Sequence, residues 1–383
     1  LLTPFDEYPF HQVTAPFGTV ATSDQHWNDG HYICLCDNAG QVSLCSTVRF
    51  YQNNDVADGF VCLRHDGKQY NFRVSRRLRP DFELSMGPLR MEVIEPLKSV
   101  RLVLDANDIV PITLDIVCTT TAVPWVGPVS VSRPQGVLIS ERLTYEITGV
   151  VSGHATVNGR RFDFTPADTA FFRNHSWGFM GGRGGPRQYS APIHTGPPRT
   201  GLRNWVLYWM PDHGGFFEFL EDADGNRMSG SYTMPDGRPY PAFAVILGPD
   251  AMKRIESIEH DLTFYEGSSR LMGGTLRLRD EDGRERQFTI EDMGWVYCQG
   301  GGYFGGFNDG LGQGIWRGEY YEEGEVWDVS QPERIFKGDE EVKLSTYWAE
   351  SFVRLREGDT VGLAHYESVV FGSYPRYGLG MKR

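Results

Sequence analysis

Runs of alternating apolar and polar residues recur along almost the whole chain. His31-Tyr32-Ile33-Cys34-Leu35-Cys36, Arg101-Leu102-Val103-Leu104-Asp105 and Gly274-Thr275-Leu276-Arg277-Leu278-Arg279 all repeat with a period near two, which predicts strands with one buried face. Between such runs stand Asp66-Gly67, Asn158-Gly159, Asp236-Gly237 and Asp282-Gly283. The first residue of each pair tolerates positive φ and the glycine adopts it freely, so each pair predicts a hairpin tip. One stretch, Gly248-Pro249-Asp250-Ala251-Met252-Lys253-Arg254-Ile255, predicts a turn or two of helix before the next strand. Antiparallel strands in this number must close or stack to remove their edges, and barrels do so while leaving an interior for one small ligand. The expected fold is all-β, with tandem antiparallel barrels or sandwiches and very little helix.

Two hairpins suggest an internal repeat. Gly153-His154-Ala155-Thr156-Val157-Asn158-Gly159-Arg160 has a counterpart in Gly274 to Arg284, and each leads on to a Trp/Gly pair, Trp177-Gly178 and Gly294-Trp295. From Gly181 to Arg199 the chain is rich in Gly and Pro and carries no periodicity, which marks a linker or loop. These signals divide the chain into a β-domain over 1–185, a linker over 186–203 and a second β-domain over 204–383.

Charge narrows the set of partners. With 37 Lys and Arg against 50 Asp and Glu, the net charge of −13 repels nucleic acid and anionic lipid surfaces. No apolar run approaches the ~20 residues that span a bilayer, and the first residues lack the regions of a signal peptide, so the cytoplasm is the expected compartment. The first residue is not Met, which leaves a removed leader open; a homodimer is also open. Cys34, Cys36, Cys45, Cys62, Cys118 and Cys298 show no zinc-knuckle or redox spacing and are expected as buried thiols.

The densest chemical constellation is Phe171-Phe172-Arg173-Asn174-His175-Ser176-Trp177-Gly178. On a strand His175 and Trp177 point the same way, so an imidazole that exchanges protons near neutral pH stands beside a π-face that stabilises positive charge. The bland alternative is a core Trp with a His bonded to backbone. Glu291-Asp292-Met293-Gly294-Trp295-Val296-Tyr297 is a second cluster, where a carboxylate beside aromatic rings would have a raised pKa, or else forms a solvated strand end. Gly300 to Gly310 lacks the Lys-Ser or Lys-Thr of a phosphate loop and is expected instead as an aromatic loop over the pocket mouth. The histidines form no His-x-His or His-Glu-x-x-His, although Asp24 with His26 or His31 could meet distant partners; no metal or cofactor is expected.

The string Arg173-Asn174-His175-Ser176-Trp177-Gly178 resembles a signature of the carotenoid 1,2-hydratase (hydroxyneurosporene synthase) and AttH-like superfamily. Trp27-Asn28-Asp29, Gly87 to Pro96, Gly318-Glu319-Tyr320 and Glu325-Val326-Trp327-Asp328 are similar to that group as well, so the likeness covers most of the chain. The resemblance implies two packed lipocalin-like β-domains, a fold shared with fungal decalin-forming Diels-Alderases, and lipid, isoprenoid or polyketide-like ligands. It also implies that His175 and Trp177 work with a downstream Tyr and Asp. Here that segment reads Leu207-Tyr208-Trp209-Met210-Pro211-Asp212, with a wider Tyr–Asp spacing than the family's.

The expected function is cofactor-independent acid–base catalysis on a small hydrophobic substrate of terpenoid, steroid or polyketide type, with hydration or dehydration of a double bond foremost. Isomerisation or cyclisation, and a carrier without chemistry, are the alternatives. The expected catalytic set is His175, Trp177, Tyr208, Asp212 and Asp292, and the expected ligand contacts are Arg173, Trp205, Trp295, Tyr297 and Tyr303. Circular dichroism is expected to show a strand-dominated spectrum; helix in more than about a third of residues, the globular average, would overturn the fold reading.

Overall fold

The computed structural model describes residues 2–380 apart from 10, 12, 13, 134, 135, 181–199, 229–242 and 347. It is all-β, with 62% strand and 5% helix, in two packed antiparallel units of the lipocalin-like kind.

The first unit is a meander of β1 (Trp27–Asp37), β2 (Ser43–Tyr51), β3 (Val56–His65), β4 (Lys68–Arg77), β5 (Leu89–Glu95), β6 (Ser99–Leu104), β7 (Ile112–Thr120), β8 (Ser140–Val157) and β9 (Thr169–Met180). Its last strand returns to pair with its first, giving the order β4-β3-β2-β1-β9-β8-β7-β6-β5. The second unit comprises β10 (Gly201–Met210), β11 (His213–Asp222), β12 (Phe243–Leu247), β13 (Met252–Phe264), β14 (Leu271–Asp280), β15 (Glu285–Tyr297), β17 (Ala349–Glu357) and β18 (Thr360–Phe371). Here β10 pairs with both β11 and β18, closing an eight-stranded up-and-down barrel. The expected turns form where their chemistry predicts: Asp66-Gly67 and Asn158-Gly159 have positive φ at both residues, the geometry that suits a two-residue hairpin. Asp236-Gly237 lies outside the described residues, as does the expected linker up to residue 199.

Local propensity fails at Gly248 to Ile255. Gly248 and Ala251 close a turn, and from Met252 the chain is already strand β13, with Arg254 paired to Val245. A closing barrel offers ladder partners on both sides, and these outweigh the few tenths of a kcal/mol per residue by which Ala, Met, Lys and Arg favour helix. The two hairpins read as a repeat also hold different places. Gly153 is on β8, the next-to-last strand of its meander, whereas Gly274 is on β14, the fifth strand of the barrel. What recurs is the first-to-last closure.

Between β15 and β17 the chain leaves the barrel, and β16 (Tyr320–Gln331) pairs with β4, extending the first sheet. Buried Arg73 on β4 fastens it: Nε donates to Glu323 at 2.7 Å, and Nη1 and Nη2 reach the two oxygens of Glu325 at 2.8 and 2.7 Å. Nη1 also donates to the carbonyl of Gly300 at 2.7 Å. The glycine-rich loop thus lies on the outer face of the first sheet rather than over the pocket mouth. Its glycines permit that approach, since a Cβ at Gly300 would sit 2.2 Å from Asn71 Oδ1.

The first sheet is covered on both faces. Ile33, Leu35, Val48, Ile147, Val151 and Phe171 point into the first unit, while Cys34, Cys36, Cys45, Phe60, Cys62 and Phe172 meet Leu207, Phe216, Met293 and Phe352 of the barrel. All six cysteines are buried and free. Among the described residues no helix is long and apolar enough to cross a membrane.

Removing Arg73 would leave Glu323 and Glu325 as buried carboxylates without their cation. Arg73→Ala is expected to destabilise the fold by about 3–5 kcal/mol in denaturant titration, the usual cost of breaking a buried ion pair. A change below about 1 kcal/mol would show that β16 is held by its ladder alone.

Candidate functional site

Three neighbouring strands place the chemistry. In β1, β9 and β8 the register sets His31 opposite His175 and His175 opposite Tyr145; one row along, Asp29 opposes Trp177, and one row the other way Ile33 opposes Arg173, which opposes Ile147. Residues two apart on a strand share a face, so these rows all look into the first unit. There they meet a cavity of about 600 Å³. Val48, Phe50, Phe82, Leu84, Trp27 and Trp177 make its apolar lining, and Asp29, His31 and His175 its polar wall.

The segment before β1 covers this cavity with Phe5, Pro16 and Phe17. Phe5 and Phe17 stack at 5.0 Å, and Phe17 meets Phe82 edge-on at 6.1 Å. Asp6 ties the segment together by accepting from the N–H of Thr3 at 2.6 Å and of Phe17 at 2.7 Å, with His11 Nε2 at 2.9 Å.

His175 uses both ring nitrogens. Nε2 lies 2.8 Å from Asp29 Oδ1, and Nδ1 lies 3.0 Å from the Tyr145 hydroxyl. A carboxylate accepts, so Nε2 carries hydrogen toward Asp29; in the neutral ring Nδ1 accepts from Tyr145. Burial raises the Tyr145 phenol, keeping it a donor at neutral pH. The Trp177 ring stands 5.4 Å from His175, at 61°. The His31 ring lies 4.0 Å from that of His175, tilted by 36°. Burial, and then the charges of His175, Arg173 and Arg49, hold His31 well below the usual imidazole value. It is therefore a neutral ring, and its buried Nδ1 has no partner among the described residues. Arg173 is also buried, and its guanidinium carbon is 5.9 Å from the centre of the Tyr145 ring.

Behind the site, on the outer face, Asn174 donates to Glu146 Oε1 at 2.6 Å, and Thr144 Oγ1 donates to the same atom at 3.1 Å. Burial lifts the Glu146 carboxyl to about 8. Buried Arg49 braces the same wall, donating to Asn28 Oδ1 at 2.6 Å and to the carbonyl of Gly30 at 3.1 Å.

The structure brings His175 and Trp177 together at the cavity and sets Arg173 one row deeper. The other sequence candidates lie elsewhere. Tyr208 is in the core of the second barrel, and Asp212 is at the following turn, bonded to His213. Asp292 accepts from Tyr265 at 2.8 Å, near Arg64. Trp295 and Tyr297 belong to a small core with Trp327 and Ile335. Trp205 packs on Phe216 and His365 between the units, and Tyr303 meets Tyr32 and Phe60 on the outer face of the first sheet. Sequence reasoning did not single out Asp29 or Tyr145 as site residues. Asp29 stood in the resembling Trp27-Asn28-Asp29 string, whereas nothing but strand pairing marks Tyr145. Among the described residues no cluster of three His, Cys, Asp or Glu could hold a metal ion.

The fold and site thus define a two-unit, lipocalin-like β-protein with a polar-walled apolar cavity in its first unit. The chain belongs to a family of unknown function (DUF8625), which matches residues 2–380. No curated protein matches it. Among solved structures it is similar to an AttH-like protein from Nitrosomonas europaea at 14% identity, over 94% of this chain and 98% of that one, with a TM-score of 0.49. It is also similar to kievitone hydratase from Nectria haematococca at 11% identity over 93% of each chain, TM-score 0.38. A third is CghA, at 9% identity over 90% of this chain and 89% of that one, TM-score 0.45.

Folding raises the Glu146 carboxyl from 4.5 to about 8, so the folded chain keeps a proton there that the unfolded chain has released. Stability from this group is full at low pH and lost as pH rises through that window. Glu146→Gln is expected to raise the melting temperature by a few degrees above pH 8 and to leave it nearly unchanged below about pH 4.5. Destabilisation at both pH values would show that Glu146 is an ionised, paired group.

Proposed function

We propose that this chain is an enzyme that moves protons on a small hydrophobic substrate held in the first unit. The observation that carries this reading is that His175, bonded to both Asp29 and Tyr145, stands beside Trp177 on the wall of a largely apolar cavity. Asp29 fixes the orientation of the ring, and Tyr145 holds the second nitrogen. When Nδ1 exchanges Tyr145 for the substrate, it donates a proton there in the charged ring and accepts one in the neutral ring, while Nε2–H stays on Asp29. A proton given to an isolated double bond leaves positive charge on carbon, and the Trp177 face is placed to stabilise it. Having given up its proton, His175 can take one back from the attacking water, and neutral His31 beside it can position that water. The covering Phe5 and Phe17 limit bulk water at the same moment. Hydration or dehydration of a terpenoid, steroid or polyketide-like double bond uses every one of these features. Isomerisation, which returns the proton to the substrate at another carbon, uses all but the water.

The test is a turnover assay against a panel of unsaturated isoprenoids and polyketides, with thermal melts on the same preparations. His175→Gln is expected to lower turnover by about 10²–10⁴ with little change in melting temperature, and Asp29→Asn to lower it in the same direction. Trp177→Phe should keep part of the rate and Trp177→Ala less. Folded, fully active His175 variants would sink the acid–base assignment. Ligand capture with no turnover by any substrate of the panel would instead favour a carrier.

A further inference from the structure

Arg173 is 3% exposed, yet its side chain makes no hydrogen bond, its Nε is left without a partner, and no carboxylate pairs with it among the described residues. Two other buried arginines of the same sheet are provided for: Arg73 has two glutamates, and Arg49 an amide and carbonyls. The groups acting on Arg173 are the Tyr145 phenol and the Cys118 thiol, neither an anion at neutral pH. A buried cation without a counter-ion is costly, and proteins that keep one give it a partner.

The position of Arg173 says where that partner belongs. It shares the inward face of β9 with His175 and Trp177, one row below the cavity wall, which is about 7 Å along a strand. Its guanidinium lies over the ring of Tyr145, whose hydroxyl holds His175, and its charge acts on His31. His31 lines the cavity, and Tyr145 is bonded to His175, which lines it too. The remaining lining is largely aromatic and aliphatic, and a volume of about 600 Å³ suits a ligand of drug size.

Resting on the reading of the cavity as a substrate site, we infer that the substrate is an apolar acid, with its hydrocarbon body against Val48, Phe50 and Phe82 and its carboxylate reaching past His31 and His175 to Arg173, one row beyond the cavity wall. Carboxylate and guanidinium match as a two-bond fork, so the pair would fix which carbon of the substrate stands at His175. An alcohol or ester of the same skeleton would leave the cation unpaired.

Fluorescence titration with cis-parinaric acid and with its methyl ester tests this on the full chain. The wild type is expected to bind the acid at least about 30-fold more tightly than the ester, as for other desolvated charge pairs. Arg173→Met should lose that preference through weaker acid binding, with ester binding unchanged, and acid and ester at equal concentration should raise its melting temperature alike. Equal affinity for the two probes in the wild type overturns the inference and leaves the cavity reading intact; this comparison does not depend on any variant folding. A preference that survives in folded Arg173→Met also overturns it. Binding of neither probe overturns the cavity reading and the inference together.

Discussion

The pairing of β1 with β9 is the constraint on which the rest depends. It closes the first meander, and it sets Asp29, His31, His175 and Trp177 into two adjoining rows. Because side chains alternate with period two, a slip of one residue would turn His175 and Trp177 out of the cavity and toward the second barrel. Two glycines let the same two strands approach their other neighbours, β8 and β2. A Cβ on Gly178, which has φ +126°, would stand 2.1 Å from the carbonyl oxygen of Glu141, and one on Gly30 would stand 2.5 Å from that of Val48. Both strands can therefore approach their neighbours only where these residues fall. Arg49 then crosses the back of the same strands, with bonds to Asn28 and Gly30.

A sheet buried on both faces can carry an unusual set of polar groups. Water is excluded from the second face by the barrel, so hydrogen bonds and charges behind the site work in a low dielectric. Burial on that face raises Glu146, and burial on the inner face depresses His31 and makes the unpaired state of Arg173 expensive. The same burial limits movement of the wall. Preorganised groups need little rearrangement when charge develops, which is the usual source of catalytic advantage in such sites.

The two units also complete each other. Without β16 the edge of the first sheet at β4 would present open N–H and C=O groups, and the second half of the chain supplies the missing strand together with Glu323 and Glu325 for Arg73. The glycine-rich loop, bound to Arg73 through the Gly300 carbonyl, packs into the same junction. The site in the first unit is therefore built on a sheet whose outer face and outer edge both belong to the second half of the sequence.

Much of this was legible before any coordinates. Period-two alternation and the Asp-Gly and Asn-Gly pairs determine an all-β chain, because they act over a few residues and no distant partner is needed to read them. His175 and Trp177 were legible as a shared-face pair for the same reason. Tyr208 and Asp212 were drawn in by the family resemblance and Asp292 by its aromatic neighbours, and their strands carry them into the second barrel or away from the cavity. The helix expected from Gly248 to Ile255 gave way to the barrel's ladder. Asp29 and Tyr145 are 146 and 30 residues from His175 along the chain, and only strand order makes them its neighbours. Which half holds the cavity was decided in the same way. Alternation specifies that a strand has an inside, but the pairing that assigns partners across it is a long-range choice, made when the meander closes and the second barrel packs against its back.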